Sequence, residues 1–340
     1  MKRRYIGNFP PPYGGVTRKN ELLFQSISEQ CEITRLRIPK WLPKQLFDGL
    51  QLLQALLPGQ QLVIGLSAAG GKSRLLTWLL YHFNRRTMRR SIYFMMGGTE
   101  ADRIASSQCE VKWYRNYRAV YAEMPSMVET LRLAGAENAK WYPNARVKVQ
   151  LPMRLREDGK RFSCVFFSWI HPDKGIDLIM EAAAELPEID FVFYGPIFAD
   201  LEERFRHDMQ CIPNVEYKGV FQGTTAETCA ELSNYDVLLL PSRYWNEGVP
   251  GILVEAKIAG LTSIVSANGY NSEIVSHGET GLVVSPLTCE SLISAIRTLY
   301  EDRELLNRLS AASRQSAADY QIEHYLPEII ADLHVGDVME

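Results

Sequence analysis

The stretch Asp236–Pro286, DVLLLPSRYWNEGVPGILVEAKIAGLTSIVSANGYNSEIVSHGETGLVVSP, decides the fold. An apolar run typical of a buried strand, Val237–Leu240, stops at a proline, and a polar and aromatic loop follows it. A helix is predicted to begin at Gly251, after glycines that let the backbone approach a ligand and a proline that suits a first helical turn. Strand, loop and helix in this order are the repeating unit of parallel sheets.

Two glutamates stand eight positions apart across the junction of loop and helix, Glu247 in the loop and Glu255 in the helix. The free N–H groups and the positive dipole end of the helix favour an anion in front of the strand. Ionised carboxylates only accept hydrogen bonds, so the glutamates suit hydroxyl groups on either side of that anion. Hydroxyls that flank a diphosphate describe a nucleotide sugar. The alternative is a buried turn with a solvated glutamate at each end, which the bare spacing fits equally well.

The motifs around the two glutamates resemble the donor-site signature of retaining glycosyltransferases of family 4. The matching residues, in order, are Pro241-Ser242, Glu247-Gly248-Val249-Pro250-Gly251, Glu255-Ala256, Ala259-Gly260, Glu273-Ile274-Val275, Gly278 and Thr280-Gly281-Leu282-Val283. That family has the GT-B architecture, two Rossmann-like α/β domains whose parallel sheets face an interdomain cleft. The resemblance implies that Glu247 contacts the donor sugar, that Glu255 contacts the nucleotide ribose, and that Gly248, Val249 and Gly251 line the donor site.

The family binds the donor diphosphate with an arginine and a lysine that follow the first strand of the second domain. Lys174 matches the lysine, but Trp169 stands at the position of the arginine. Tryptophan cannot neutralise a leaving diphosphate, whereas a lysine ammonium can. Arg243 and His171 are the nearest candidates to compensate. The alternatives without a function are that Trp169 covers the end of the sheet and that Lys174 is a surface lysine before a helix.

The resemblance assigns further donor positions to turns that follow predicted strands. Gly195 ends one such strand, and Phe221 belongs to a turn that lies against the nucleotide base in the family. Gly14-Gly15 follows the first strand and opens a helix, where the family loop faces the donor. A Gly-Gly pair taken alone indicates only a tight turn.

A second departure from the family concerns the acceptor side. Many members have a histidine just before the turn that corresponds to Gly97-Gly98, whereas this chain has Met95 and Met96 there. An acceptor-activating histidine is therefore not carried over, and Glu100 is the only substitute that the stretch offers.

Length and composition fit a globular chain of two domains, with 340 residues, 46% hydrophobic and 23% charged. The six cysteines form no C-x-x-C pair, which argues against a disulfide framework or a structural metal and fits a reducing cytosol. No Asp-x-Asp pair is present to hold a metal for the donor, so we expect no metal or other cofactor. No apolar run approaches the length of a membrane span, and the N-terminus is not typical of a secretory leader.

The two halves of the chain carry opposite charge. Residues 1–160 have 26 Lys and Arg against 12 Asp and Glu, a net +14, and residues 161–340 have 11 against 28, a net −17, which together give −3. The asymmetry indicates that the basic half meets an anionic surface, either nucleic acid or a membrane. No nucleic-acid-binding motif is visible, which favours a membrane or a polyprenyl-phosphate type of acceptor. Arg85–Arg90, with four arginines in six residues, is the candidate contact, although a solvated helix end explains the same run.

A glycine-rich turn, Ser67–Ser73, invites comparison with a P-loop. The Walker A motif needs four residues between its first glycine and its Gly-Lys pair, whereas Gly65 and Gly71 are separated by five. We therefore interpret it as a turn between strand and helix, and a P-loop NTPase stays a rival that predicts ATP turnover dependent on Lys72.

The predicted organisation is an acceptor-binding domain over 1–158, a nucleotide-sugar-binding domain over 159–319, and a terminal helix over 320–340 that crosses back to the first domain. A charged stretch without periodicity, Arg154–Arg161, marks the linker. Among the individual elements, we predict a short strand around Ala119–Ala122 and helices over Lys44–Leu57, Arg74–Asn84, which ends in the arginine run, and about Cys289–Glu301. The resemblance implies a cytoplasmic hexosyltransferase that uses a UDP- or GDP-linked sugar and a glycan or lipid-linked acceptor in surface polysaccharide synthesis, without nucleic acid. Two alternatives stay open, a catalytically impaired donor-binding partner subunit and a nucleotide-sugar epimerase of the same architecture.

Overall fold

A computed structural model of the chain describes residues 2–10, 14–36, 53–66, 71–152 and 161–334. The chain divides into two compact units. Unit 1 comprises Met1–Ala145 and Ile322–Glu340, and unit 2 comprises Arg146–Gln321. Arg146 bonds within unit 2, where its N–H donates to the Tyr320 carbonyl at 2.8 Å.

Unit 1 is built on a six-stranded parallel sheet in the order β2-β1-β3-β4-β5-β6. Its strands are β1 (Lys2–Gly7), β2 (Thr34–Arg35), β3 (Gln60–Gly65), β4 (Ile92–Phe94), β5 (Ala119–Ala122) and β6 (Ala139–Trp141). Its helices are α1 (Gly15–Ser28), α2 (Lys72–Phe83), α3 (Arg85–Arg90), α4 (Glu100–Ala105), α5 (Gln108–Tyr114), α6 (Pro125–Leu133) and the terminal α14 (Ile322–His334). The terminal helix is held to the sheet by Asp332, whose Oδ2 accepts from the Tyr121 hydroxyl at 2.8 Å and from Lys140 Nζ at 2.7 Å.

Unit 2 has its own six-stranded parallel sheet, in the order β12-β11-β10-β7-β8-β9. Its strands are β7 (Ser163–Phe167), β8 (Asp190–Tyr194), β9 (Val215–Tyr217), β10 (Val237–Leu240), β11 (Thr262–Ser266) and β12 (Gly281–Val284). Its helices are α7 (Ile176–Glu185), α8 (Glu202–Cys211), α9 (Thr225–Leu232), α10 (Gly251–Ala259), α11 (Asn271–Ile274), α12 (Cys289–Glu301) and α13 (Arg303–Ser316).

The continuous apolar runs of the central strands explain this architecture. Every residue of β3, β5, β10 and β11 is buried, as expected for parallel strands covered by helices on both faces. The predicted α/β class with two Rossmann-like sheets is therefore confirmed.

The structure corrects the sequence interpretation in the arginine run. The pattern predicted one helix over Arg74–Asn84 that ends in Arg85–Arg90, but α2 stops at Phe83 and α3 starts anew. Asn84 is the cause, because its side-chain oxygen accepts from the Thr87 N–H at 3.1 Å and so caps the second helix.

Several expectations lie outside the described residues. They are most of the predicted helix Lys44–Leu57, the Ser67–Gly70 part of the glycine-rich turn, and most of the linker Arg154–Arg161. Among the described residues, no helix is both long and apolar enough to cross a membrane.

One buried charge in unit 2 has a consequence for stability. Lys257 of α10 is 3% exposed, and its Nζ donates to the Ser316 hydroxyl at 2.7 Å. Burial lowers the pKa of Lys257 to about 8, because it removes water from the charged ammonium. In the unfolded chain the same ammonium stays hydrated. The unfolded state then binds more protons between pH 8 and its own pKa of about 10.4, so this group makes the protein more stable as pH rises through that window.

We expect Lys257→Met to raise the thermal midpoint at pH 7, where the wild type holds a buried ammonium, by roughly 2–6 °C for about 1–2 kcal/mol. The advantage should shrink toward pH 10, where the wild-type lysine is neutral. Near-UV circular dichroism melts between pH 7 and 10 measure this. The control is Lys148→Met, at an exposed lysine of the same unit; a Lys257→Met advantage that stays constant with pH would contradict the argument.

Candidate functional site

A buried cluster of three side chains lies at the carboxyl end of β10. Lys174 Nζ donates to Glu247 Oε2 at 2.5 Å, and the Ser242 hydroxyl donates to the same oxygen at 2.5 Å. Ser242 is fully buried, and the side chains of Lys174 and Glu247 are only 11% and 10% exposed. The two residues predicted to be catalytic are therefore brought together, 73 residues apart in sequence.

Two glycines make this meeting possible. Gly175 has a φ of +72°, and a Cβ there would lie 2.2 Å from the Pro241 carbonyl oxygen, so the turn that carries Lys174 packs directly against the end of β10. Gly269 has a φ of +56°, and a Cβ there would lie 2.8 Å from the Glu247 carbonyl oxygen. The backbone at Gly175 and at Gly269 thus packs directly against the segment that carries Glu247. A larger residue at either glycine would displace Lys174 or Glu247.

The loop that carries Glu247 leads directly into the N-terminus of α10. Pro250 is the N-cap residue rather than the first helical residue, no side chain caps the helix, and no acidic residue stands in its first turn. The N-terminus of this helix thus presents N–H groups that suit an anion, although the Leu253 N–H already donates to the Pro250 carbonyl at 3.0 Å. Binding of an anion there stays a prediction. Val249 is buried, with 5% of its surface exposed.

Glu255 lies in the second turn of α10 and is also paired. Its Oε1 accepts from Arg146 Nε at 2.9 Å, and both residues are buried. The nearby carboxylate adds to burial in raising the pKa of the Cys229 thiol to about 12, which keeps that thiol protonated.

Each glutamate uses one oxygen for these contacts. Among the described residues, Glu247 Oε1 and Glu255 Oε2 have no hydrogen-bond partner, and neither is a fully enclosed atom. Two carboxylate oxygens thus remain to accept hydrogen bonds, one before and one after the open end of α10.

The region of the missing arginine is filled by aromatic rings. Trp169 packs on His171 with ring centroids 4.4 Å apart and on Phe198 at 5.6 Å, and it remains 44% exposed. The His171 Nδ1 accepts from the Asp173 N–H at 3.2 Å. Both proposed substitutes for the arginine are thus already engaged, since Arg243 forms a bidentate pair with Asp177 at 2.9 and 3.0 Å on the surface.

The remaining predicted donor residues of unit 2 lie at the ends of β7 and β8. Gly195 has a φ of +134°, and a Cβ there would lie 1.8 Å from the Ser168 carbonyl oxygen. Phe221 packs against Phe167 and Tyr194, with ring centroids 5.5 and 6.0 Å away. The absence of a side chain at Gly195 thus lets two backbone segments pack together, and the Phe221 ring packs on aromatic residues at the same edge of the sheet. Their contact with a donor stays a prediction.

The predicted residues of unit 1 fall into two groups. Gly14 and Gly15 open α1 and are exposed, with open space where a side chain would point, so a ligand has room there. Glu100 is fully buried and accepts from the Tyr93 hydroxyl at 2.6 Å, and burial raises the pKa of its carboxyl. A carboxylate enclosed in this way does not fit the role of an acceptor base.

Sequence reasoning missed two residues that hold the glutamates. Ser242 was part of the quoted motif, and the five-residue separation from Glu247 gave no sign of their hydrogen bond. Arg146 lies 109 positions before Glu255 and at the start of unit 2, where no local pattern points to a buried arginine.

Comparison with known families matches the segment that contains this site. Residues 150–316 match the family described as "Glycosyl transferases group 1". A GDP-mannose-dependent alpha-(1-6)-phosphatidylinositol monomannoside mannosyltransferase of Mycobacterium tuberculosis is 27% identical over 214 residues, 60% of this chain and 54% of the relative. Sulfoquinovosyl transferase SQD2 of Arabidopsis thaliana is 29% identical over 153 residues, 44% of this chain and 28% of the relative. The chain thus spans about half of the first relative and less of the second.

Solved structures show the same fold. Anabaena Alr3699/HepE in complex with UDP-glucose has a TM-score of 0.72 at 17% identity, covering 98% of this chain and 100% of that one. Sucrose-phosphate synthase from Thermosynechococcus elongatus has a TM-score of 0.70 at 17% identity, covering 97% of each chain. Both similarities agree with the GT-B class expected from the sequence.

The segment that matches the family holds Lys174, Glu247 and Glu255 in the cluster described above. The chain therefore contains a segment, residues 150–316, that matches the glycosyl transferases group 1 family.

Proposed function

We propose that the protein transfers a hexosyl unit, with retention of configuration, from a UDP- or GDP-linked sugar to a hydroxyl acceptor. The observation that carries the proposal is the buried contact of Lys174 with Glu247 directly before the uncapped N-terminus of α10. A cation and a helix N-terminus suit a diphosphate, and a carboxylate between them suits the hydroxyls of the attached sugar. The names of the relatives, which transfer sugars, support the same reaction class.

In the proposed reaction, the bond between the sugar and the diphosphate breaks and negative charge develops on the leaving phosphate. Lys174 Nζ and the first N–H groups of α10 stabilise that charge, and a single fixed donor of this kind contributes roughly 3 kcal/mol. Glu247 Oε1 orients the sugar, and Glu255 Oε2 accepts from the ribose. Gly195, Phe221 and Arg243 complete the proposed donor contacts of unit 2. Gly14 and Gly15 are proposed as donor residues from the resemblance alone, and the proposal includes no metal.

We propose a glycan or a lipid-linked oligosaccharide as acceptor, in the synthesis of surface polysaccharide. The phosphatidylinositol mannoside named for one relative supports an acceptor at a lipid surface. The net charge of +14 over residues 1–160 supports peripheral association with the cytoplasmic face of an anionic membrane.

A second candidate, a donor-binding partner subunit with little activity of its own, is favoured by one observation. Trp169 stands where the family arginine would be, and both Arg243 and His171 already have partners. In this reading the donor binds but the leaving diphosphate lacks one of its two cations.

The two candidates separate in an assay of nucleoside diphosphate release from UDP- and GDP-sugars, with membrane extract as the source of acceptor. We expect the wild type to release nucleotide from one donor. Lys174→Met and Glu247→Gln should each slow release by about 100-fold or more, because each removes an interaction with the reacting groups. Glu301→Gln, at an exposed end of α12, is the matched control. Saturable donor binding without release would instead identify the partner subunit.

Ser242 should act on turnover through Glu247. In Ser242→Ala, the Glu247 carboxylate keeps Lys174 but loses its second hydrogen bond, so we expect a loss of about 10-fold in kcat with donor affinity changed less than threefold. Ser310→Ala removes a buried hydroxyl whose one hydrogen-bond partner among the described residues is Thr262, at 2.8 Å, and it serves as the control for packing. Equal effects of the two variants would mean that Ser242 supports folding alone.

A further inference from the structure

Helix α2 of unit 1 turns large apolar side chains toward solvent. Its inner face is formed by Leu76, Thr77 and Leu80, which are fully buried against the sheet. On the outer face, Leu75 is 47% exposed, Trp78 is 37% exposed and Phe83 is 70% exposed. Trp78 and Phe83 touch each other, with ring centroids 5.8 Å apart, so the exposed apolar surface is continuous at this end of the helix.

A second exposed apolar segment lies beside the end of α2. The Asn84 side chain donates to the Leu56 carbonyl at 2.9 Å and so fixes this segment next to Phe83. Its neighbour Leu57 is 55% exposed. We call Leu57, Leu75, Trp78 and Phe83 the apolar face.

The apolar face is bordered by arginines. Helix α3 starts two residues after Phe83 and presents Arg85, Arg86 and Arg89 to solvent. Arg85 stacks over the Tyr81 ring at 4.2 Å, which turns its guanidinium back toward α2. From 49 to 99 the sequence contains no Asp or Glu, and the carboxylate that reaches α2 from outside this window, the buried Glu110, pairs with Arg74 at 2.9 Å. The exposed arginines of α3 therefore give the border of the apolar face a positive charge.

We propose that the apolar face and the arginines of α3 dock the protein on an anionic lipid bilayer, with Trp78 and Phe83 in the interface and Arg86 and Arg89 at the head groups. Tryptophan, phenylalanine and leucine beside arginine are the composition of helices that lie in the plane of a membrane interface. A nucleic acid would use the arginines but leave the apolar side chains in water. The inference rests on the proposed lipid-surface acceptor and names the surface that reaches it.

Flotation with phosphatidylcholine vesicles, with and without phosphatidylglycerol, tests the docking without donor or acceptor. The wild type should float with the anionic vesicles and be released by high salt, because surface attraction decays within a Debye length. Arg86→Glu/Arg89→Glu and Trp78→Ala/Phe83→Ala should each lower vesicle affinity by about 10-fold or more. Controls are Arg297→Glu/Arg308→Glu on unit 2 and Leu133→Ala, an 83% exposed apolar residue of α6.

Three results would overturn the proposal. The first is a wild type that does not bind anionic vesicles. The second is an aromatic variant that floats like the wild type, which would leave a purely electrostatic contact. The third is release of the protein from vesicles by polyuridylate at a concentration equal to that of the anionic lipid, with binding of polyuridylate lost in Arg86→Glu/Arg89→Glu. That result would identify single-stranded RNA as the occupant. Nucleotide release measured in parallel keeps a failed docking face distinct from a failed transferase.

Discussion

The site of unit 2 depends on one buried ion pair. Taking an ammonium and a carboxylate out of water costs several kcal/mol each, and mutual attraction offsets this only when further hydrogen bonds satisfy the pair. Ser242 supplies such a bond to the very oxygen that Lys174 contacts. The carboxylate of Glu247 is thereby fixed in place before any ligand arrives, which is the condition for electrostatic stabilisation without reorganisation.

The ion pair in turn depends on how closely the backbone segments approach each other. Lys174 precedes Gly175, which lies against the Pro241 carbonyl, and Gly269 lies against the backbone of Glu247 itself. The same device recurs at Gly195, which lies against the Ser168 carbonyl at the neighbouring strand end. All three glycines have positive φ. Together they let the loops at the carboxyl edge of one parallel sheet come close to one another, where ligands of such sheets bind.

Local patterns predicted the strands and helices well, because buried parallel strands and amphipathic helices leave a periodic signal. The strands Val237–Leu240 and Ala119–Ala122 and the helix Cys289–Glu301 match their predicted bounds. The break between the two helices at Asn84 was not predicted, because a single hydrogen bond from the Thr87 N–H to the Asn84 side chain interrupts a run that otherwise reads as helical. The role of Arg146 was not predicted for a different reason. Its contact with Glu255 joins residues 109 positions apart, and a local pattern carries no information about such a contact. The motif located the glutamates and included Ser242, but it gave no sign of the contacts that hold the glutamates.

The net charge of the second half of the chain opposes the binding of an anionic donor. Residues 161–340 carry a net −17, so the half that would bind an anionic donor repels it as a whole. At physiological ionic strength such repulsion is screened beyond about 8 Å, and the groups within that distance decide. Around Glu247 these include Lys174 and the N-terminus of α10, whose partial charge is about half of a full one. In the proposed transfer, a tryptophan in place of a second cation therefore leaves less positive charge near the diphosphate, and Trp169 is the residue of the site that would most slow its departure.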